Sequence, residues 1–117
     1  MTTLSTDSAK PLCALSDLTD GTIGSALLDD GRRIAIYHVD GDVYATDDRC
    51  THGNASLGDE GSLDGCIVEC GLHLGAFDVR TGHAVSAPCS KPLQTYPVEI
   101  RDGKVWLSAH ALAEEAP

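Results

Sequence analysis

Apolar and polar residues alternate along most of this chain in short runs, and the runs are broken by Asp-Gly pairs. A period of two with turn residues at its ends reads as β-strand. Leu12–Leu15 and Thr22–Leu28 are the first two candidates, the second followed by a turn at Asp29-Asp30-Gly31. Arg33–Val39 is the clearest strand, with Ile34, Ile36 and Val39 interleaved with Ala35, Tyr37 and His38. Asp40-Gly41 then supplies a two-residue hairpin turn of the kind that needs positive φ, and Val43–Thr46 returns as the partner strand. The pattern repeats near the end: Gln94–Ile100 as one strand, a turn at Asp102-Gly103, then Lys104–Leu107. These hairpins predict an all-β domain, a small antiparallel barrel or sandwich.

The middle of the chain reads differently. Cys50 to Pro92 holds seven of the twelve glycines and four of the five cysteines. Cys66–Glu69 and Ala76–Val79 are short strand candidates there, with a turn at Arg80-Thr81-Gly82. The expected organisation is one domain over 1–117. A base (about 10–47 and 92–108) carries an inserted subdomain (about 48–91) that holds the chemistry. Ala109–Glu115 has helical composition and predicts a short terminal helix.

Composition narrows the function. The chain of 117 residues suits one domain, and aromatic residues are only 4%, so the core must rest on Val, Ile, Leu and Ala. Eighteen acidic residues against eight basic ones give a formal net charge of -10. Nucleic acid and anionic membranes would repel such a surface, whereas a basic protein partner would be steered towards it. Met1 to Lys10 is polar and lacks the basic and apolar regions of a signal peptide. No run approaches the ~20 apolar residues of a membrane helix. A cytoplasmic protein is expected. Five cysteines, an odd number, then favour metal chemistry over a disulfide framework.

The candidate chemistry lies in two pairs, Cys50-Thr51-His52 and Cys70-Gly71-Leu72-His73, separated by seventeen residues. Two cysteines and two histidines suit a [2Fe–2S] centre in which two imidazoles replace two thiolates on one iron. In an extended loop, residues i and i+2 share a face, so Cys50 and His52 point the same way. A tight turn lets Cys70 and His73 do the same from the opposite side. Gly53, Gly71 and Gly75 allow close backbone approach and offer N–H donors. Spacing alone leaves open which ligands share an iron. A structural zinc site is the alternative, but zinc fingers group their Cys and His separately, and here they are interleaved. Cys13, Cys66 and Cys89 read as small buried hydrophobes. His38, His83 and His110 lack a partner Cys at ligand spacing and read as ordinary residues. Asp59-Glu60 and Asp29-Asp30 read as solvated turn charges. Both pairs, with Glu69 and Asp64, are available for docking. Leu57, Leu74 and Pro88 are candidates for an apolar collar around the histidines.

Cys50–His52, Cys70–His73, Gly75, Phe77-Asp78 and the Ala87-Pro88 loop together resemble the Rieske family, over roughly Val43 to Trp106. The resemblance implies the Rieske fold and one [2Fe–2S] cluster. It places Cys50 and Cys70 on the inner iron and His52 and His73 on the outer, solvent-facing one. The loop at Pro88 would cover the cluster. The segments 50–57, Cys-Thr-His-Gly-Asn-Ala-Ser-Leu, and 64–70, Asp-Gly-Cys-Ile-Val-Glu-Cys, are similar to those of soluble ferredoxins from bacterial aromatic-ring hydroxylating oxygenase systems. Such a ferredoxin is no enzyme. It carries one electron from a flavoprotein reductase to a terminal Rieske non-haem iron oxygenase. Oxygenase large subunits share the motif but need a further 2-His-1-carboxylate iron site, for which nothing after Trp106 leaves room. The small subunit of an assimilatory nitrite reductase is a second alternative.

The departures from the family pattern are informative. Ala55 and Leu72 stand where respiratory and photosynthetic members carry two disulfide-bonded cysteines. Gly75 and Phe77 stand where high-potential members place a Ser and a Tyr that donate hydrogen bonds to sulfur. Fewer donors stabilise the reduced, more negative cluster less, so the expected potential is near the low end of the Rieske range, about −150 mV. Gly71 stands where many members have Pro, a difference the loop is expected to tolerate.

Overall fold

The computed structural model describes residues 11–28, 30–50, 55–71, 75–86 and 91–107. Eleven strands make up most of it: β1 Cys13–Ala14, β2 Ile23–Leu27, β3 Arg33–Val39, β4 Asp42–Asp47, β5 Ser62–Asp64, β6 Ile67–Glu69, β7 Ala76–Asp78, β8 Ala84–Ser86, β9 Thr95–Tyr96, β10 Val98–Arg101 and β11 Lys104–Leu107. One helical turn, α1, covers Leu57–Glu60, and a 3-10 turn covers Leu15–Asp17. The strands form three antiparallel sheets in the orders β1-β11-β10, β2-β3-β4-β9 and β5-β6-β7-β8. The fold class read from the alternation is therefore all-β, as expected. The terminal helix expected over Ala109–Glu115 lies outside the described residues. Among the described residues, no helix is long and apolar enough to cross a membrane.

Both Asp-Gly turns are where the sequence places them. Asp40 and Gly41 have φ of 52° and 87°, and Asp102 and Gly103 have 55° and 73°. Two successive positive φ values make the type I′ turn, whose twist matches that of the flanking strands. The register that follows sets Tyr37 opposite Tyr44 and Ile100 opposite Val105.

Two strand expectations need correction. Gln94–Ile100 is not one strand: Thr95–Tyr96 pairs with β4, and Val98–Arg101 pairs with β11 in another sheet. The break is at Pro97, which has no N–H to give a ladder, and the chain uses it to cross from one sheet to the other. Leu12–Leu15 contributes only Cys13–Ala14 as strand, because Leu15 turns into the 3-10 segment, whose end is closed by Leu18 N–H to Leu15 O at 3.0 Å. The pattern also missed α1, β5 and β8, each four residues or fewer and too short to display a period.

β3 organises the interior. Ile34 and Ile36 pack into one core with Leu18, Ala45, Tyr96 and Val105, while Ala35, Tyr37 and Val39 pack into another with Leu57, Val68, Phe77, Val79 and Leu93. Alternation along the strand thus sends side chains into two cores on opposite faces. Tyr37 is fully buried, and its hydroxyl meets the Thr46 hydroxyl at 2.8 Å, which in turn donates to the Asp47 carbonyl at 2.8 Å.

Burial pushes the Tyr37 phenol well above its ordinary value, reinforced by Asp48; the Thr46 hydrogen bond opposes it. Tyr96 is raised too, by burial and by the Asp47 carboxylate that its hydroxyl donates to. The unfolded chain therefore releases these protons at a lower pH than the folded one. Stability is expected to hold up to about pH 10, the ordinary tyrosine value, and to fall as pH rises beyond it. Urea midpoints at pH 9 and pH 11 check this. Tyr37→Phe should cost on the order of 1 kcal/mol at neutral pH and flatten the alkaline decline; an undiminished decline would contradict the assignment.

Candidate metal centre

The two Cys-containing loops are built alike. In the first, Arg49 bridges Ser56 in antiparallel fashion, Cys50 N–H donates to the Ala55 carbonyl at 3.0 Å, and Leu57 N–H donates to the Asp48 carbonyl at 2.8 Å. In the second, Glu69 is opposite Ala76 on β6 and β7, and Cys70 N–H donates to the Gly75 carbonyl at 2.7 Å. Each cysteine is thus the last paired residue of a hairpin, and four residues separate it from the carbonyl that it bonds. The sequence pattern suggests an extended loop and a tight turn, because the histidine is two residues on in one pair and three in the other. The bases of both are closed by the same bond, and residues 51–54 and 72–74, which decide between the two shapes, lie outside the described residues.

The two thiols are sunk in the interior. Cys50 is 0% exposed and Cys70 is 1% exposed. They belong to one packed cluster with Ala35, Tyr37, Leu57, Val68, Phe77 and Leu93. Cys13, Cys50, Cys66 and Cys70 are thiols, with no disulfide among them. Two soft donors with fixed backbones, brought into one water-poor core from hairpins about twenty residues apart, match what an iron–sulfur cluster asks of a protein. The other two expected ligands, His52 and His73, lie outside the described residues, as do Leu74, Pro88, Cys89 and His110.

The remaining candidates sort clearly. Cys13 is half-buried in β1, and burial, then Asp17, holds its thiol above the usual range, in the inert protonated form. Cys66 is half-buried at the turn before β6 and packs against the core. His38 is structural: its Nδ1 is 2.7 Å from the Leu18 carbonyl, tying β3 to the preceding loop. His83 is exposed beyond β7. Leu57 is fully buried in the core, so it is no part of a surface collar. It opens α1, whose apolar first residue must turn inward while Asp59 and Glu60 face out.

Three residues near the loops carry structure that the sequence did not display. Asp48 is only 5% exposed; its carboxylate accepts the Gly58 N–H at 2.8 Å and lies 3.8 Å from the Arg33 guanidinium. Asp59 is an ion-pair partner of Arg33 at 3.0 Å and not merely a solvated turn charge. Gly71 is more than tolerated: a Cβ there would meet the Glu60 carbonyl of α1, so the glycine permits the contact between α1 and the second loop. Nothing in the spacing marks Asp48 or Arg33, since their partners are set by the fold.

A third segment is pinned nearby. Asp78 ends β7 and binds Arg80 through its side chain at 2.9 Å, which holds its carboxyl below the usual range against the opposing effect of burial. The turn closes with Gly82 N–H on the Asp78 carbonyl at 2.7 Å, and Leu93 N–H donates back to the Gly82 carbonyl at 2.8 Å. Gly82 has φ of 83°, and its α-carbon faces the Leu93 carbonyl so closely that no Cβ fits. Leu93 enters the core beside the two cysteines.

Comparison with known proteins agrees with this arrangement. The Rieske [2Fe-2S] domain pattern matches residues 8–97. The chain is 48% identical over 100 residues to the ferredoxin component of the p-cumate 2,3-dioxygenase system of Pseudomonas putida, covering 86% of this chain and 85% of that protein. Among solved structures, it is similar to a chain in the complex of reduced oxygenase and oxidised ferredoxin of carbazole 1,9a-dioxygenase, at 44% identity and a TM-score of 0.79, covering 86% of this chain and 92% of the other. It is also similar, at 27% identity and a TM-score of 0.71, to a small subunit described as that of an NADPH nitrite reductase, covering 85% of this chain and 97% of the other.

Proposed function

The chain belongs to the Rieske [2Fe-2S] family, and from that membership we propose that it is the ferredoxin of a bacterial aromatic-ring hydroxylating system, carrying single electrons from a flavoprotein reductase to a terminal Rieske non-haem iron oxygenase. Its cofactor is a Rieske-type [2Fe–2S] cluster, which sets the structural zinc reading aside. The observation that carries the proposal is the pair of buried thiols, Cys50 and Cys70, at the openings of two like hairpins in one core.

In this reading Cys50 and Cys70 hold one iron, and His52 and His73 hold the other. When bound, such a cluster supplies reversible one-electron chemistry. The chain's own residues do the rest. The Ala55 and Gly75 carbonyls fix the backbone at each cysteine through the bonds at 3.0 and 2.7 Å. Leu57, Val68 and Phe77 keep water from the thiolate side. Phe77 brings no hydrogen-bond donor, which supports a low potential. The acidic surface suits a basic partner, and the docking would be small and transient. The chain is then an electron carrier and not an enzyme, working in the cytoplasm, without nucleic acid or membrane as partner. The division into a base (about 10–47 and 92–108) and a cluster-binding part (about 48–91) belongs to the same proposal; it is supported by β5 to β8 forming a sheet of their own.

The test is EPR of the dithionite-reduced protein followed by mixing with a terminal oxygenase. A rhombic Rieske-type signal that the oxygenase discharges is expected. The midpoint should be near the low end of the family range, about −150 mV; a strongly positive midpoint would sink the low-potential assignment. The likeness to a nitrite reductase small subunit favours a second reading, weaker in both identity and TM-score. Copurification with a sirohaem subunit would select it.

A further inference from the structure

The two cysteine loops belong to different hairpins, and a four-ligand centre requires their spacing to be held. Between them the chain runs through α1, β5 and β6. α1 is a single turn of four residues, too short to keep its shape in water unaided. Contacts from outside supply that shape. Ser56 Oγ accepts the Asp59 N–H at 3.2 Å, and the Asp48 carboxylate accepts the Gly58 N–H at 2.8 Å. Arg33, projecting from β3, donates to both carboxylate oxygens of Asp59 at 3.0 and 3.3 Å and to Ser25 Oγ at 3.1 Å, and its Nε lies 3.8 Å from Asp48. The Arg33 carbonyl also receives the Asp48 N–H at 3.1 Å. At the far end of α1, the Glu60 carbonyl occupies the space that a side chain at Gly71 would need. Gly71 is the first residue of the second loop.

We infer that Arg33, Asp48 and Asp59 are positioning residues for the metal centre: they clamp α1 so that Glu60 props Gly71, fixing the second cysteine loop against the first. The inference rests on the function proposed above. An exposed Arg–Asp pair is worth only about 0–1 kcal/mol to global stability, so the clamp acts through local geometry. The planar guanidinium reaches both Asp59 oxygens at once, and a lysine ammonium cannot reproduce that fork.

The test uses the cluster-loaded protein. Arg33→Lys keeps the charge and removes the fork; Asp59→Asn removes the partner; Arg101→Gln breaks a comparable surface pair, Arg101 with Glu99 at 3.2 Å on β10, and is the control. We expect Arg33→Lys and Asp59→Asn to change the g-value spread of the reduced EPR signal and to lose the cluster to a chelator about tenfold faster, the lower end of what loss of a supporting residue costs a metal site. Urea midpoints should stay near wild type, and Arg101→Gln should match wild type throughout. Wild-type spectra and loss rates in both clamp variants would overturn the inference. So would a matching change in Arg101→Gln, or a fall in urea midpoint large enough to explain the faster loss. Electron delivery to an oxygenase does not enter this test, so a failed carrier role would leave its result standing.

Discussion

Cys50→Ala and Cys70→Ala are each expected to give a folded, colourless protein with no Rieske-type EPR signal and no electron transfer. Both thiols lie in the apolar core with Tyr37, Leu57, Val68 and Phe77. Removing one buried heavy atom costs about 1 kcal/mol in packing, which leaves the β-sheets in place. On the proposed ligand set, losing either thiolate would remove a bond to iron, and the remaining donors would not hold the cluster. The metal's contribution to folding is lost with it, so a reduced melting temperature should accompany the bleaching. Alanine is the better probe than serine, because a serine hydroxyl would be buried among apolar side chains and cost stability for a separate reason. Cys13→Ala and Cys66→Ala, at half-buried thiols outside the hairpin openings, should keep full iron and sulfide content. A Cys70→Ala protein that retained its visible spectrum would remove that residue from the ligand set.

Gly82→Ala is expected to be the most damaging single methyl addition among the described glycines, at about 3 kcal/mol. Two effects combine. A left-handed backbone costs a non-glycine residue about 1–2 kcal/mol. The new Cβ would also strike the Leu93 backbone carbonyl, and overpacking costs about 1–3 kcal/mol. The strain should break the Leu93 N–H bond to the Gly82 carbonyl, the tie that brings Leu93 into the core beside Cys50 and Cys70. Gly103→Ala separates the two effects. Gly103 has a positive φ of 73° but nothing within 4 Å of its would-be Cβ, so only the backbone cost of about 1–2 kcal/mol applies. Equal urea-denaturation losses in the two variants would show that the close approach carries no weight.

These two predictions draw on different layers of information. The candidate ligands could be proposed from the chain because Cys and His beside glycine have few other uses at that spacing, and because the resemblance of residues 50–57 and 64–70 to a family is local. The hairpin turns were legible for a similar reason. Asp-Gly tolerates the φ values of type I′ turns, and that preference sits within two residues. Pro97 was visible too, but its consequence was not: a missing N–H says that a ladder stops, and only the fold says that the next strand joins another sheet. Gly71 looked like a harmless exchange for Pro until the Glu60 carbonyl was placed against it.

The sequence by itself determined the all-β class, the I′ hairpins, the two cysteines and two histidines proposed as ligands, and an acidic surface. Each is written in residues close together along the chain, or in composition, where local sterics and charge suffice. Only the tertiary structure decided that β3 is buried on both faces and that Cys50 and Cys70 share one core. It alone closed their loops as matching hairpins and let Arg33 and Asp48 brace α1 between them. Those facts depend on contacts between residues distant along the chain, such as Arg33 with Asp59, 26 positions apart, and Ala35 with Leu93 in the core that holds both cysteines. An exposed arginine and a buried aspartate show no period and no motif, and they acquire their partners only when the sheets pack.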